Sequence, residues 1–263
     1  MTLGHAGYLS IAEIIIYVPA LIAAIYTTSR HGFHRSSGWV YTVVLCLIRI
    51  VGAVCQLCTY SSNSSNLFEA VLILDSIGIS PLLFATLGIL SRFVDFANAS
   101  GKQVLGVKEF RIVQLVIVVA VILSIIGGTN STYTDGHVKI PTSSKVGVIL
   151  YIVGFVGISL IWTLSVPYRS RVPSRERWSP VAVAVAWPLI AVRLLYSALS
   201  VFLHNHTFSV VNGRVVVRAG MATAEEWLVV VLYICLGLYL YKLNDNSQGI
   251  AGRPWKGNRR GRT

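Results

Sequence analysis

Seven times along the chain an apolar run is long enough to cross a bilayer, and the polar residues collect between the runs. The runs are Tyr8–Thr28, Trp39–Cys58, Leu67–Leu90, Ile112–Gly128, Val146–Val166, Pro180–Leu203 and Met221–Tyr241. A spanning helix needs about 20 mainly apolar residues, so each run is predicted to be one transmembrane helix. The expected fold is all-α: a polytopic membrane protein with a single seven-helix bundle over residues 1–243. Residues 244–263 form a basic polar tail, expected to be disordered. Pro81 and Pro188 lie inside the third and sixth runs and predict kinks, because proline removes a backbone donor. Gly154 and Gly157 in the fifth run are spaced for close helix contact. No Lys or Arg precedes the first run and Glu13 lies within it, which speaks against a cleaved signal peptide.

Composition supports the same picture. The 263 residues are 54% hydrophobic and 12% charged, against about 25% charged in ordinary soluble domains. Seven spans use roughly 140 residues, about the apolar content of the chain. A soluble enzyme, a disordered chain and a nucleic-acid-binding domain are excluded, although 22 Lys and Arg face 10 Asp and Glu. The basic residues explain themselves through topology. The loops Ser29–Gly38, Ser91–Arg111 and Pro167–Ser179, with the tail from Lys242, hold 16 of them, and the segments on the other side hold 4. That asymmetry places the N-terminus outside or lumenal and the tail in the cytoplasm. The sequons at Asn63, Asn130 and Asn205 fall on the outer side and are expected to be glycosylated, while that at Asn98 falls inside. The basic loop around Arg30, His31 and His34, the arginines 169, 171, 175 and 177, and the tail from Arg253 to Arg262 are expected to attract anionic lipid.

Against this apolar background, the charges inside the spans carry the functional signal. They are Glu13, Arg49, Glu69, Asp75, Arg193, Glu225 and Glu226. Such a group costs about 2.5–3.5 kcal/mol at the bilayer centre on insertion scales, so several together must face inward and pair. At about 1.5 Å per residue from the outer end of each span, Glu13 lies roughly 7 Å deep, Asp75 12 Å, Arg49 13 Å and Arg193 15 Å. Glu225 and Glu226 lie roughly 6–8 Å deep. Glu69 is expected at the interface, and Glu226 rather than Glu225 is favoured to face the interior. Two readings stay open. In one, Arg49–Asp75 and Arg193–Glu226 are structural ion pairs that fix helix register. In the other, the charges line a chamber for a ligand or a reaction, with Tyr17 and Tyr196 as added donors and Trp187, Trp227 and Tyr233 as aromatic walls.

Other motifs point away from familiar chemistry. The four cysteines lie in apolar stretches and read as small core residues, and Cys55-x-x-Cys58 lacks the partners of a zinc site. His204 and His206 lack a third ligand. No metal and no cofactor is expected. The seventh run has no deep lysine for a retinal Schiff base. Ser91-Arg92-Phe93 stands where a G-protein-coupled receptor would carry Asp-Arg-Tyr, and no Asn-Pro-x-x-Tyr occurs in the seventh run. Phosphate-binding and hydrolase motifs are also missing, and seven unrepeated spans fit poorly with inverted-repeat transporters.

The stretches Arg30-His31-Gly32, Gly38-Trp39, Ile48-Arg49-Ile50-Val51-Gly52-Ala53 and Val192-Arg193-Leu194-Leu195-Tyr196-Ser197 resemble a fungal family of seven-span integral membrane proteins of unknown function. The resemblance extends to about Leu243 and implies a fungal source, but it transfers no catalytic residue. The architecture is also similar to the small integral-membrane terpene cyclases of fungal secondary metabolism, seven-span proteins that use intramembrane acids. By that analogy the expected function is acid-initiated cyclisation of a lipophilic, isoprenoid-type substrate. A carboxyl in an apolar site can hold its proton at neutral pH, so Asp75 would be the proton donor. Glu13 or Glu226 would orient it or take the final proton. Arg49, Arg193, Tyr17, Tyr196, Trp187 and Trp227 would bind substrate, the ring faces stabilising a carbocation. A close cation beside Asp75 would argue against this role. The alternative is a non-enzymatic sensor, receptor-like or accessory protein, in the endoplasmic reticulum or plasma membrane.

Overall fold

A computed structural model describes residues 5–32, 38–61, 65–99, 105–130, 132–134, 137–139, 141–202 and 219–240. The seven apolar runs form seven helical passes. They are α1 (His5–His31), α2 (Trp39–Cys58), α3 (Ser65–Ile77) continuing as α4 (Ile79–Ala99), α5 (Val107–Thr129), α6 (Thr142–Ser165), α7 (Ser179–Phe202) and α8 (Glu225–Tyr239). All seven passes are long and apolar enough to span a membrane. We call the end where α1 begins the N-terminal face and the opposite end the basic face.

The bundle wears its apolar residues on the outside. Ile15, Ile22 and Leu115 are each more than 60% exposed, an arrangement that water would penalise and lipid accepts. The third pass lies at the centre. Of its most apolar stretch 61% is buried, against 28% in each of the first two passes.

Several boundaries differ from those read in the sequence, for one reason. The first pass reaches His31 rather than Thr28, the third reaches Ala99 rather than Leu90, and α5 starts at Val107 rather than Ile112. Apolar patterning ends a span where polar and charged residues begin to cluster, whereas these helices continue through charges that are paired or that reach the basic face. A short antiparallel ribbon, β1 (Thr132–Thr134) and β2 (His137–Lys139), pairs Tyr133 with Val138 in the α5–α6 connection. The α6–α7 connector, residues 166–178, holds two 3-10 turns.

Of the two expected kinks, that at Pro81 appears as a break at Gly78 between α3 and α4. Pro81 has no N–H for the carbonyl of Ile77, and Ser80 Oγ donates to that oxygen instead at 2.8 Å. Helix α7 runs without interruption through Pro188, and α1 likewise through Pro19. The glycines of α6 seat it against α5. A Cβ at Gly154 would stand 3.0 Å from Ile117 Cγ1, and one at Gly157 would stand 2.8 Å from Val113 Cγ2. Gly127 and Gly147 extend the same close seam against Ser144 and Ser124. The cysteines correct another expectation. Cys46 is a core residue, but Cys58 and Cys235 are exposed on the bundle surface, and all four are free thiols.

Candidate functional site

Four charged side chains from four passes meet in the half of the bundle nearer the N-terminal face. Arg49 comes from α2, Asp75 from α3, Arg193 from α7 and Glu226 from α8, and each is at most 6% exposed. Arg49 Nε and Nη2 donate to the two oxygens of Glu226, both at 2.5 Å, in a fork-on-fork pair. Arg49 Nη1 donates to Asp75 Oδ1 at 3.0 Å. Arg193 Nε donates to Glu226 Oε1 at 2.5 Å, and its Nη2 lies 3.7 Å from Asp75 Oδ1. Glu226 therefore sits between two guanidiniums and Asp75 beside both. Two formal positive charges balance two negative ones, as burial in hydrocarbon demands.

Local structure prepares each member. The break at Gly78 leaves the last carbonyls of α3 in need of donors. Arg193 Nη2 gives one to the Asp75 carbonyl at 3.0 Å. Gly78 also lets Arg49 lie against the break, since a Cβ there would stand 3.1 Å from Nη2. Arg193 Nη1 donates to Ser197 Oγ, one turn along α7, at 2.6 Å. Its guanidinium lies 5.7 Å from the centre of the Tyr196 ring, a cation–π distance. Glu226 occupies the first turn of α8, where the helix dipole favours an anion. A π-helical turn, Ala219–Ala224, leads into it.

Glu13 and Tyr17 reach this centre through that turn. Thr223 Oγ1 donates to Glu13 Oε1 at 2.7 Å, and Tyr17 Oη donates to the Thr223 carbonyl at 3.4 Å. Both are buried. Glu225 is half-buried, with one carboxylate oxygen buried and without a hydrogen-bond partner. Glu226 is the acid that faces inward. Trp227 is half-buried against the core. Trp187 stands apart: it is 42% exposed, tilts against Phe155 and donates to Ser159 Oγ at 2.9 Å. Tyr233 bonds Thr86 at 2.7 Å, away from the charges. Asn130 is exposed just after α5, on the N-terminal face. Asn63, Asn205, His204, His206 and the tail from Tyr241 lie outside the described residues.

A second charged centre, at the basic face, was missed by the sequence reading. Arg92 and Glu176 are both buried and form a two-pronged ion pair. Arg92 Nη1 lies 3.4 Å from His31 Nδ1, and His31 Nε2 lies 2.7 Å from the Gly237 carbonyl. An arginine only donates and a carbonyl only accepts, so the neutral tautomer with hydrogen on Nε2 fits both contacts. The His31 ring stacks on Trp39 at 4.4 Å, and Trp39 Nε1 donates to the Tyr233 carbonyl at 3.0 Å. Arg30 and Arg175 donate to the carbonyls of Leu238 and Tyr239 at 2.8 and 3.3 Å. The last turn of α8 is thus capped by side chains from α1 and the connector. Gly237 makes room, since a Cβ there would fall 2.4 Å from Trp39 Nε1. Glu176 is the only acid among the four arginines of its connector, a signal that could have marked it.

The fold and the two centres define an integral membrane protein with seven spanning helices crosslinked at two depths by buried charge. The chain belongs to the family described as domain of unknown function (DUF7702), whose model matches residues 3–243. Neither the curated proteins nor the solved structures contain a match. The family stretches noted in the sequence divide between the centres. Arg30, His31 and Trp39 belong to the second, and Arg49, Arg193, Tyr196 and Ser197 to the first.

Proposed function

We propose that this is a non-enzymatic, receptor- or sensor-like membrane protein, with the Arg49–Asp75–Arg193–Glu226 network as its responsive element. The observation that carries the reading is the sharing of Glu226, fully buried, between guanidiniums of α2 and α7. Such a network is charge-neutral as it stands, and its energy depends on where four helices sit relative to one another. A small lipophilic ligand with a carboxylate or an amine competes for one member and shifts that arrangement, which is how a ligand biases a two-state element. In the proposed orientation the N-terminus is outside and the basic face is cytoplasmic, and the first network lies nearer the outer leaflet. Asn130 is then the glycan acceptor within reach, with Asn63 and Asn205 as further candidates. A fungal source and a place in the plasma membrane belong to the same reading.

The acid-initiated cyclase is the second reading, and one observation favours it. Glu13 and Glu225 make no ion pair among the described residues, and one Glu225 oxygen is buried without a donor. Asp75 fits the proton-donor role less well than expected, because Arg49 and Arg193 lie 3.0 and 3.7 Å from it in ion-pair geometry. In this reading Glu13 or Glu225 takes the place of Asp75 as the reacting acid, Tyr17, Tyr196 and Trp227 line the substrate, and the endoplasmic reticulum is the expected membrane.

Two measurements separate the readings. Thermal melting of the purified protein is followed with a series of lipophilic carboxylates and amines. The sensor reading expects at least one to raise the melting temperature in the wild type and not in the charge-neutral variant Glu226→Gln/Arg193→Gln. Metabolites of a deletion strain are compared with those of its parent. Loss of a cyclised product with build-up of its open-chain precursor overturns the sensor and supports the cyclase.

A further inference from the structure

The α6–α7 connector presents arginines that neither charged centre uses. Helix α6 runs for 24 residues, about 36 Å at the rise of an α-helix, which exceeds the roughly 30 Å of hydrocarbon. Residues 166–178 therefore lie at the level of the lipid headgroups. Leu160 and Leu164, 58% and 57% exposed, face the acyl chains just below. Arg169, Arg171 and Arg177 are exposed, and Trp178, 51% exposed, stands beside them. Tryptophan is the residue type that settles at a membrane interface.

The connector holds these cations in place. Arg177 Nε donates to the Val172 carbonyl at 2.9 Å and its Nη2 to the Ser170 carbonyl at 3.1 Å. The Arg171 guanidinium lies over the Tyr168 ring at 5.1 Å. Val172 and Glu176 are buried and anchor the segment from below. Two of the three side chains are thus pre-positioned, which lowers the ordering cost of gripping an anion.

We propose that this connector is a docking site for the phosphate-bearing headgroup of an anionic membrane lipid, with Arg169, Arg171 and Arg177 as donors and Trp178 as the interfacial anchor. Planar guanidiniums suit phosphate oxygens through two-pronged bonds. The basic face is cytoplasmic in the proposed orientation, and the cytoplasmic leaflet carries the anionic lipids. The site does not depend on whether the protein senses or catalyses.

Native mass spectrometry of the full chain, released from nanodiscs of phosphatidylcholine with and without phosphatidylinositol phosphate, reads retained lipid. The wild type is expected to keep phosphatidylinositol phosphate in preference to phosphatidylcholine. At about one surface cation's worth of attraction each, Arg171→Gln should lower retention roughly fivefold and Arg169→Gln/Arg171→Gln roughly thirtyfold. These side chains are exposed, so unchanged melting temperatures verify the fold. Lys108→Gln, an exposed cation at the start of α5 on the same face, should leave retention unchanged. Equal losses in Lys108→Gln and Arg171→Gln overturn the proposal, because diffuse charge alone is then acting. Equally tight binding of free inositol trisphosphate overturns the lipid assignment, and displacement of the lipid by a glutamate-rich peptide overturns it in favour of a protein partner.

Discussion

The two charged centres solve the same problem by opposite means. Near the N-terminal face, Arg49, Asp75, Arg193 and Glu226 satisfy one another almost entirely side chain to side chain. At the basic face one ion pair, Arg92–Glu176, is embedded among side chains that donate to the backbone of α8. Along α8 the two lie 11 residues apart, roughly 16 Å. The first centre can exist only if all four passes supply their member, since any three leave an uncompensated charge in hydrocarbon. The second is built around a helix end whose carbonyls need donors in any case, so its members are individually more replaceable. The passes α1, α2, the third and α8 are bound at both levels, while α7 enters the first centre and the connector that leads into it enters the second. Helices α5 and α6 pack on each other through glycines.

The largest expected effect comes from breaking the first centre at its shared anion. Glu226→Gln leaves two guanidiniums with Asp75 as their ion-paired carboxylate. Removal of one partner from a buried pair costs about 3–5 kcal/mol. Denaturation of the purified protein in detergent should register this as a large loss of melting temperature or as failure to accumulate folded protein. Glu226→Gln/Arg193→Gln should be less damaging than the single change, because Arg49–Asp75 remains balanced. Additive losses would show that the four residues do not act as a unit.

Glu176→Gln is the matching test of the second centre. It removes the two-pronged partner of Arg92, whose guanidinium also lies 5.4 Å from the Trp39 ring and close to the basic face. The cost should be roughly 2 kcal/mol, between the ranges for buried and exposed pairs. The same melting experiment ranks it below Glu226→Gln. A loss as large as that of Glu226→Gln would mean that the second centre is as sealed from water as the first.

The contrast also explains what the sequence revealed. Arg49, Asp75, Arg193 and Glu226 stood out because each interrupts an apolar run, and a charge in hydrocarbon has few bland explanations. Similar depths along four helices were enough to expect their meeting, and the geometry bears that out. Their functional roles are another matter, because roles depend on what enters the site. Arg92, Glu176 and His31 flank apolar runs, where basic residues are already accounted for by topology. Their pairing depends on α1 and α4 continuing past the charge, and on a connector folding back beneath the bundle. Gly154 and Gly157 were legible through spacing alone. Trp187 carried no sign of the face it would take, because an indole suits lipid and core alike.

At the second centre, the seat of Trp39 on α8 depends on Gly237. A Cβ there would fall 2.4 Å from both Trp39 Nε1 and Thr27 Cγ2. Neither neighbour yields easily: the indole is stacked on His31 and bonded to the Tyr233 carbonyl. Gly237→Ala should cost about 1–3 kcal/mol, the range for overpacking, seen as a lower melting temperature. Trp39 fluorescence is a poor reporter among six tryptophans, so amide exchange in the last turn of α8 should be followed as well, and it should accelerate.

Gly78→Ala is the counterpart at the first centre, and the smallest effect expected. The added Cβ would stand 3.1 Å from Arg49 Nη2, the far end of a long side chain that can give by a few tenths of an ångström. Against that strain stands a gain, since alanine restricts the unfolded chain more than glycine does, by about 0.4–1 kcal/mol where the backbone accepts it. Gly78 has no left-handed backbone angle to lose. The two contributions oppose each other, and the net change should lie within about 0.5 kcal/mol. Melting curves of Gly78→Ala and Gly237→Ala measured side by side therefore compare how firmly each centre is held. If Gly78→Ala falls as far as Gly237→Ala, the Arg49 guanidinium is as fixed as a stacked indole. The first network would then be a rigid strut and not a responsive element, and the sensor reading would lose its moving part.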